Sequence, residues 1–273
     1  MSRNKEEVEQ EEVDQRSAPS GKIVYKAILK EGEEELERSS SALFWSGLAA
    51  GLSMGFSMIG EGLLTAYLPD KFWRPLVSKF GYSAGFLIVV LGRQQLFTEN
   101  TLTPVLPFLQ RTSAGKLGNV LRLWSIVLAA NLFGALIIAV VAARTNAFEP
   151  IVREAFASIG SKALAVGFGT VLLRGIFAGW LIALMVWLLP FAESARVWVI
   201  IFITYLVGLG EFSHIIAGAV ETFTVAAMGQ ASWLAVLGGY IVPTLIGNVL
   251  GGVTLVATLN HAQVVAGSGG EDI

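Results

Sequence analysis

The feature that most constrains this chain is a series of apolar blocks that runs from Ser41 to about residue 258. A helix needs about 20 residues to cross roughly 30 Å of hydrocarbon, and each block reaches that length. The blocks lie at 42–66, 80–109, 119–143, 163–189, 197–229 and 232–258, and polar residues interrupt the second and the fifth. The sequence therefore predicts an all-α membrane protein with six transmembrane helices.

The distribution of charge supports this prediction. Residues 1–40 hold 11 of the 21 acidic and 7 of the 19 basic residues, which leaves 22 charges for the other 233 residues. A soluble domain carries roughly 25% charged residues, whereas this chain has 15%. A water-exposed globule is excluded. The lack of cysteine excludes a disulfide scaffold, and the net charge of -2 disfavours nucleic-acid binding.

Three parts follow from this composition. Residues 1–40 form an acidic, cytoplasmic segment in which Met1–Arg16 is expected to be disordered. Residues 41–260 form a six-span transmembrane domain, and 261–273 form a short cytoplasmic tail. Within the first part, a weak amphipathic pattern favours either a short surface helix or more disordered tail, and its apolar residues are Ile23, Val24, Ile28 and Leu36.

Lysine and arginine counts give an orientation. With the N-terminus inside, the inner side collects 11 of them and the outer side 6, while Arg93 and Arg174 lie inside apolar blocks. Because basic residues are enriched on the cytoplasmic side, we expect both termini in the cytoplasm. The first 40 residues contain no apolar region of a cleavable signal peptide.

Two blocks share a short motif that indicates an internal repeat. Asn131 to Ala135 and Asn248 to Gly252 both read Asn-x-x-Gly-small, at an offset of 117. This offset maps Phe97, in the second block, onto His214 in the fifth. A repeat of three spans must be inverted, because an odd number of crossings reverses the direction of the chain.

The interruptions of the second and fifth blocks are the strongest functional signal. The segment from Leu96 to Thr101 brings polar groups into the second block and is followed by Pro104, and the segment from Glu211 to His214 does the same in the fifth. Unwound backbone at membrane depth is tolerated only where it lines a cavity or is buried in protein. Paired broken helices in two inverted halves point to a translocation site. The alternative is a pair of kinks without a transport role.

At these residues the chain resembles the formate/nitrite transporter family. The resemblance runs from about Phe44 to Leu259, and four segments carry it in order. It implies an aquaporin-like protomer, a homo-pentamer in the lipid bilayer and transport of a small monovalent anion. The four segments are Leu96-Phe97-Thr98, Asn131 to Ala135, Phe212 to Ala217 and Asn248 to Gly252.

The resemblance also implies roles for single residues. His214 corresponds to the central pore histidine, Thr98 to the threonine of the second-helix loop, and Asn248 to the asparagine that contacts the histidine. Lys162 corresponds to a lysine near the outer mouth. The apolar constrictions on either side of the histidine involve Phe97, Tyr82, Phe86 and residues around Val207.

The chain departs from the family pattern at several positions. Ser213 stands where many members have a glutamate, and Glu211 lies two residues earlier. Gly179 stands where relatives have an asparagine in the fourth span. These differences are typical of a divergent branch of the family.

Two interpretations of His214 remain open at the level of sequence. A protonated ring could offset the cost of moving a desolvated anion, or it could transfer a proton so that the neutral acid crosses. Alternatively, the ring is neutral, bonds to Asn248 and only shapes the pore. Thr98 could serve the permeant ion or a freed carbonyl, and Lys162 could attract anions or simply reach interfacial water.

Six ionisable residues lie inside or at the edges of apolar blocks, where charges are costly. We expect them to pair, with Arg93 and Arg174 coupled to Glu211 and Glu61. Such pairs serve either helix and subunit contacts or ion selectivity. The six are Arg93, Arg174, Glu61, Glu99, Glu211 and Glu221.

The leading functional hypothesis is a channel or transporter for small monovalent anions such as formate or nitrite, linked to protons through His214. One alternative is a neutral-solute pore of the aquaporin type, and another is a non-conducting membrane scaffold or sensor. An enzyme is not expected, because the sequence lacks a metal-type histidine cluster and a phosphate-binding loop of the Walker type. No cofactor or metal is expected.

Overall fold

The computed structural model describes residues 20–267, and within them every regular element is helical. Ten helices of six or more residues follow one another along this part of the chain, besides short 3₁₀ turns, and several of them are too short to cross a membrane unaided. They are α1 (Gly21–Glu37), α2 (Ser40–Tyr67), α3 (Arg74–Leu91), α4 (Val105–Gln110), α5 (Ala114–Arg144), α6 (Pro150–Leu164), α7 (Phe168–Leu188), α8 (Arg196–Leu209), α9 (Ile215–Ala227) and α10 (Trp233–Val264).

Six crossings are formed from these helices. The helices α2, α5, α7 and α10 are single continuous crossings. The second crossing consists of α3, a break and α4, and the fifth consists of α8, a break and α9. The prediction of six crossings with a broken second and fifth helix is therefore confirmed.

Both breaks begin with the same backbone turn. After α3 ends, Arg93 has a φ of 50°, and the N–H of Gln94 donates to the carbonyl of Val89 at 3.0 Å. After α8 ends, Glu211 has a φ of 52°, and the N–H of Phe212 donates to the carbonyl of Val207 at 3.0 Å. These are Schellman-type endings, which satisfy carbonyls that the broken helix would leave free.

The two halves also pack alike. A Cβ at Gly51 of α2 would overlap the carbonyl oxygen of Asn131 on α5. A Cβ at Gly179 of α7 would overlap the carbonyl oxygen of Asn248 on α10 in the same way. Glycine is therefore required at both of these helix–helix contacts, because the helix backbones touch there. This packing accounts for Gly179, one of the positions at which the chain departs from the family pattern.

The helix α1 packs on the side of the bundle where α10 ends. Its buried residues Tyr25, Ile28 and Leu29 share an apolar cluster with residues of α4 and α10. The hydroxyl of Tyr25 lies 2.8 Å from Nδ1 of His261, so both ends of the described chain lie on one side. From α5, Arg122 donates to the carbonyl of Leu36 at 2.8 Å, at the C-terminal end of α1.

The boundaries of the expected parts shift in two places. The residues that favoured a surface helix belong to α1, and the expected disordered stretch Met1–Arg16 lies outside the described residues. The helix α10 runs to Val264, beyond the expected boundary at residue 260, and the tail residues after Gly267 are not described.

The helix α6 was not predicted as a separate element. It has 15 residues, with Val152 and Phe156 buried beneath it, and it joins the third crossing to the fourth. The apolar block expected from residue 163 therefore mixes the end of α6 with α7, which begins at Phe168. Because α6 carries Lys162, it positions that side chain beside the fifth-helix break.

Candidate permeation site

Asn131 clamps the break in the second crossing. Its Oδ1 accepts from the N–H of Phe97 at 2.9 Å. Its Nδ2 donates to the carbonyls of Gln95 at 2.9 Å and Gly47 at 2.7 Å. The buried amide therefore satisfies backbone groups that the break has freed and ties them to α2.

Asn248 clamps the fifth-helix break in the same way. Its Oδ1 accepts from the N–H of Ile215 at 2.9 Å, and its Nδ2 donates to the carbonyls of Ser213 and Gly175, both at 2.8 Å. Asn248 thus bonds the backbone on both sides of His214, and not its ring. The expected contact between the asparagine side chain and the histidine ring is replaced by this backbone clamp.

The two clamps also set the register of the repeat. The asparagines are 117 residues apart, whereas the residues they clamp, Phe97 and Ile215, are 118 apart. His214 therefore corresponds to Leu96, and the mapping of Phe97 onto His214 is wrong by one residue. The two positive-φ residues, Arg93 and Glu211, are also 118 apart.

His214 lies at the centre of the site and is fully buried. Its Nδ1 accepts from the N–H of Ala217 at 3.2 Å, and its Nε2 lies 2.8 Å from Oγ1 of Thr98. An N–H can only donate, so Nδ1 carries no proton. The ring is then the neutral tautomer in which Nε2–H donates to Thr98.

This hydrogen bond joins the two broken crossings. Thr98 belongs to the break between α3 and α4, and His214 is the N-cap of α9. Because Oγ1 of Thr98 accepts from the ring, its own hydroxyl hydrogen is free to point towards a permeant molecule. The phenyl ring of Phe86 meets the imidazole edge-on, with centroids 4.9 Å apart.

The residues expected to form constrictions take different positions. Tyr82 lies one turn from Phe86 on α3, with ring centroids 5.5 Å apart, and it lines a cavity together with Val207. Phe97 is buried against Trp124, with centroids 5.8 Å apart. Phe97 thus packs against α5, while Tyr82, Phe86 and Val207 adjoin the route beside His214.

A cavity of about 160 Å³ opens beside the fifth-helix break, and we call it the Lys162 vestibule. Lys162 forms an ion pair with Glu211, and Arg174 lies 3.3 Å from the same carboxylate. The expected coupling of Arg174 with Glu211 is present. The lining of the vestibule also includes Glu61, Lys79, Tyr82, Ser213, Glu221 and Tyr240.

A larger cavity, of about 590 Å³, opens beside the second-helix break, and α1 forms part of its wall. We call it the α1 vestibule. Arg93 pairs here with Glu31 of α1 at 2.9 Å, so the expected coupling of Arg93 to a transmembrane glutamate is wrong. The Arg93 side chain lies beyond the end of α3 and is 74% exposed. Glu99 also lines this cavity.

Glu35 connects α1 to the second-helix break. Its carboxylate accepts from Nε2 of Gln95 at 3.0 Å and from the hydroxyl of Thr103. Desolvation raises the pKa of Glu35 from 4.5 to about 7, although the two hydrogen bonds act in the opposite direction. Neither Glu31 nor Glu35 was predicted to belong to the site, because the acidic segment was treated as separate from the channel domain. Their spacing of four residues on an amphipathic helix was the available signal.

Comparison with known proteins decides the family. A family model described as "Formate/nitrite transporter" matches residues 22–262. The chain belongs to the formate/nitrite transporter family. Among its relatives, inner membrane protein YfdC of Escherichia coli is 39% identical over 96% of this chain and 85% of that protein. The uncharacterized transporter YrhG of Bacillus subtilis is 26% identical over 86% of this chain and 90% of that protein.

Solved structures of the formate/nitrite transporter family share the fold. One described as "FNT family ion channel" superposes with a TM-score of 0.79 at 18% identity, covering 89% of this chain and 99% of the other. Another, "Pentameric formate channel with formate bound", gives 0.70 at 20% identity, covering 83% and 98%. This family member is therefore an integral membrane channel or transporter with the fold of those channels.

Proposed function

We propose that this formate/nitrite transporter family member conducts small monovalent weak-acid anions, with formate and nitrite as the first candidates. The observation that carries the proposal is the buried hydrogen bond between His214 and Thr98, which joins both helix breaks between two vestibules. The solved structure with formate bound supports the choice of substrate.

The chemistry of the site around His214 and Thr98 favours transport linked to protons. A bare anion loses much of its hydration in passing a section enclosed by apolar side chains, at a large cost in free energy. His214 is neutral in the observed arrangement and offers no full positive charge. The conjugate acid avoids this cost, and the Thr98 hydroxyl can donate to its oxygen.

The Lys162 vestibule gathers anions before this section. Two basic side chains, Lys162 and Arg174, pair with the single carboxylate of Glu211, which leaves one positive charge in excess at this end of the vestibule. An excess of positive charge in a cleft raises the local anion concentration. Lys162 lines the vestibule, and its side chain is 66% exposed, so it lies where the vestibule meets solvent.

The assembly and the location follow the relatives. We infer a homo-pentamer within the lipid bilayer of a bacterial inner membrane, because the similar formate channel is described as pentameric and YfdC as an inner membrane protein. Both termini face the cytoplasm in this proposal, in agreement with the distribution of basic residues. The α1 vestibule is then cytoplasmic and the Lys162 vestibule faces outwards.

A flux assay on purified protein in liposomes tests the proposal. We expect uptake of formate and nitrite that rises as the pH falls. Thr98→Val keeps the shape of the side chain but removes its hydroxyl, and we expect at least a tenfold loss of flux. Thr254→Val is the matched control, because Thr254 is exposed on α10 and bonds only its own helix.

Two outcomes would contradict the proposal. Wild-type protein without anion flux at any pH would indicate a non-conducting scaffold. A flux of neutral solutes that is independent of pH and unchanged in His214→Asn would indicate an aquaporin-like pore. His261→Asn serves as the control histidine, because it contacts Tyr25 outside the site.

A further inference from the structure

Two glutamates and one lysine lie together in the wall of the Lys162 vestibule. Glu61 of α2 is 3% exposed, and its Oε1 lies 2.5 Å from Nζ of Lys79 on α3. Its other oxygen, Oε2, is buried and has no hydrogen-bond partner. Glu221 of α9 lines the same cavity and is 8% exposed.

The charges in this wall do not balance if both carboxyl groups are ionised. Lys79 neutralises one of them. The other basic side chains of the vestibule are paired elsewhere, Arg74 with Asp70 at 2.9 Å and both Lys162 and Arg174 with Glu211. Among the described residues, no lysine or arginine forms an ion pair with Glu221. A buried carboxylate without a partner is costly, and protonation removes that cost.

We propose that Glu61 and Glu221 share one proton beside Lys79, and that this pair is the proton donor for anions entering the pore. The inference rests on the proposed function and adds a donor distinct from His214. The observation that points to a ligand is the buried, unpartnered Oε2 of Glu61 at the cavity wall. The ligand is a hydrogen ion.

The donation step balances without any further reagent. The O–H bond of the protonated carboxyl breaks, and a new O–H bond forms on an oxygen of the anion, which becomes the neutral acid. The glutamate is left as a carboxylate beside Lys79, and a proton from vestibule water restores it. Partial desolvation of the anion in the narrow cavity favours this transfer, because it disfavours the charged form.

Other titratable groups face the pair from each packed element. Lys162 belongs to α6, Arg174 to α7 and Glu211 to the fifth-helix break. The two phenols Tyr82 of α3 and Tyr240 of α10 are buried in the same wall. The phenols are neutral in the physiological range, and the three ionised groups form their own network.

Infrared difference spectroscopy of the full chain in liposomes tests the shared proton directly, since protonated carboxyl groups absorb apart from carboxylates. Wild-type protein at neutral pH should show one protonated carboxyl band from this pair. Glu221→Gln and Glu61→Gln should each abolish it, because Lys79 then neutralises the single remaining carboxylate. Lys79→Gln should instead double the band.

Glu154→Gln is the matched control, because Glu154 is exposed on α6 and should leave the band unchanged. If the difference between the wild-type spectrum and that of either glutamine variant showed no such band, the shared proton would be overturned. Formate uptake driven by a proton gradient should fall at least tenfold in Glu221→Gln, and wild-type uptake in that variant would overturn the donation step. Absence of any wild-type flux would overturn the proposed function, whereas the infrared result would still decide on the shared proton.

Discussion

At the scale of single residues, Asn131 and Asn248 hold the two helix breaks in place. Each amide side chain makes three hydrogen bonds to backbone groups, and both side chains are fully buried. Since the breaks carry Thr98 and His214, the distance between these two residues depends on the asparagines. The asparagines therefore act on the site through the backbone.

This arrangement predicts a large effect of Asn248→Ala. The substitution leaves the N–H of Ile215 and two carbonyls without their buried partner, at about 1–3 kcal/mol for each unsatisfied group. We expect a lower thermal midpoint in detergent and a loss of flux. Asn146→Ala, in an exposed loop, is the control. Equal midpoints for Asn248→Ala and wild type would contradict the clamp.

At the scale of the elements, glycine contacts bring the crossings within reach of each other. Gly51 and Gly179 allow α2 to touch α5 and α7 to touch α10, so that each asparagine reaches both its break and a carbonyl of the neighbouring helix. Two helices that associate within lipid gain little from the hydrophobic effect, because lipid tails are as apolar as the side chains that the contact covers. Close packing of the helices stabilises their association instead.

Gly179→Ala should therefore destabilise the protein. Its added Cβ would overlap the carbonyl oxygen of Asn248, and α7 must move away, at about 1–3 kcal/mol or more. Gly169→Ala lies on the same helix, where a Cβ meets nothing within 4 Å. Thermal unfolding of the two variants compares them directly. A destabilisation of the same size in both variants would argue against the backbone contact between α7 and α10 at Gly179.

The docking of α1 should depend on pH. The docked helix raises the pKa of Glu35 from 4.5 to about 7, so the docked state binds the proton more tightly than the undocked state. Docking is then strongest below pH 4.5 and weakens as the pH rises through about 7. Hydrogen exchange of the α1 amides, corrected for the intrinsic rate, measures this change.

Glu35→Gln should remove this dependence, because the amide does not titrate. Glu33→Gln, on an exposed position of the same helix, should retain it. Protection of α1 that increases with pH in the wild-type protein would have the wrong sign and would refute the prediction.

At the scale of the whole molecule, two inverted halves enclose one central site. Each half contributes a broken crossing, a clamping asparagine and a positive-φ residue at the helix end. The two halves contribute different side chains and different vestibules to the central site. The first contributes Thr98 and the α1 vestibule, and the second contributes His214 and the Lys162 vestibule.

The proposed orientation can be checked by labelling, because the chain has no cysteine. Ser20→Cys before α1 and Asn146→Cys between α5 and α6 each provide a single labelling site. In intact bacterial cells, a membrane-impermeant maleimide should label position 146 and leave position 20 unlabelled. The opposite pattern would place the termini outside and reverse the assignment of the vestibules.

The sequence by itself determined the number of crossings, the positions of the breaks and the residues at the centre, because these depend on block length, polarity and the order of motifs along the chain. The breaks were found in this way, whereas the roles expected of His214 and Thr98 came from the resemblance to the family. The asparagine motif also revealed the repeat, although its register was wrong by one residue, since the clamped backbone and the clamping side chain lie on different helices.

Only the tertiary structure decided which charges meet and which nitrogen of His214 accepts a hydrogen bond. Arg93 pairs with Glu31 of α1, far away in sequence, and Lys79 pairs with Glu61 while Glu221 has no basic partner among the described residues. The neutral state of His214 follows from the N–H of Ala217 that its ring caps. Electrostatic energy depends on distances of a few ångströms between groups on different elements, and a linear pattern of residues does not specify those distances.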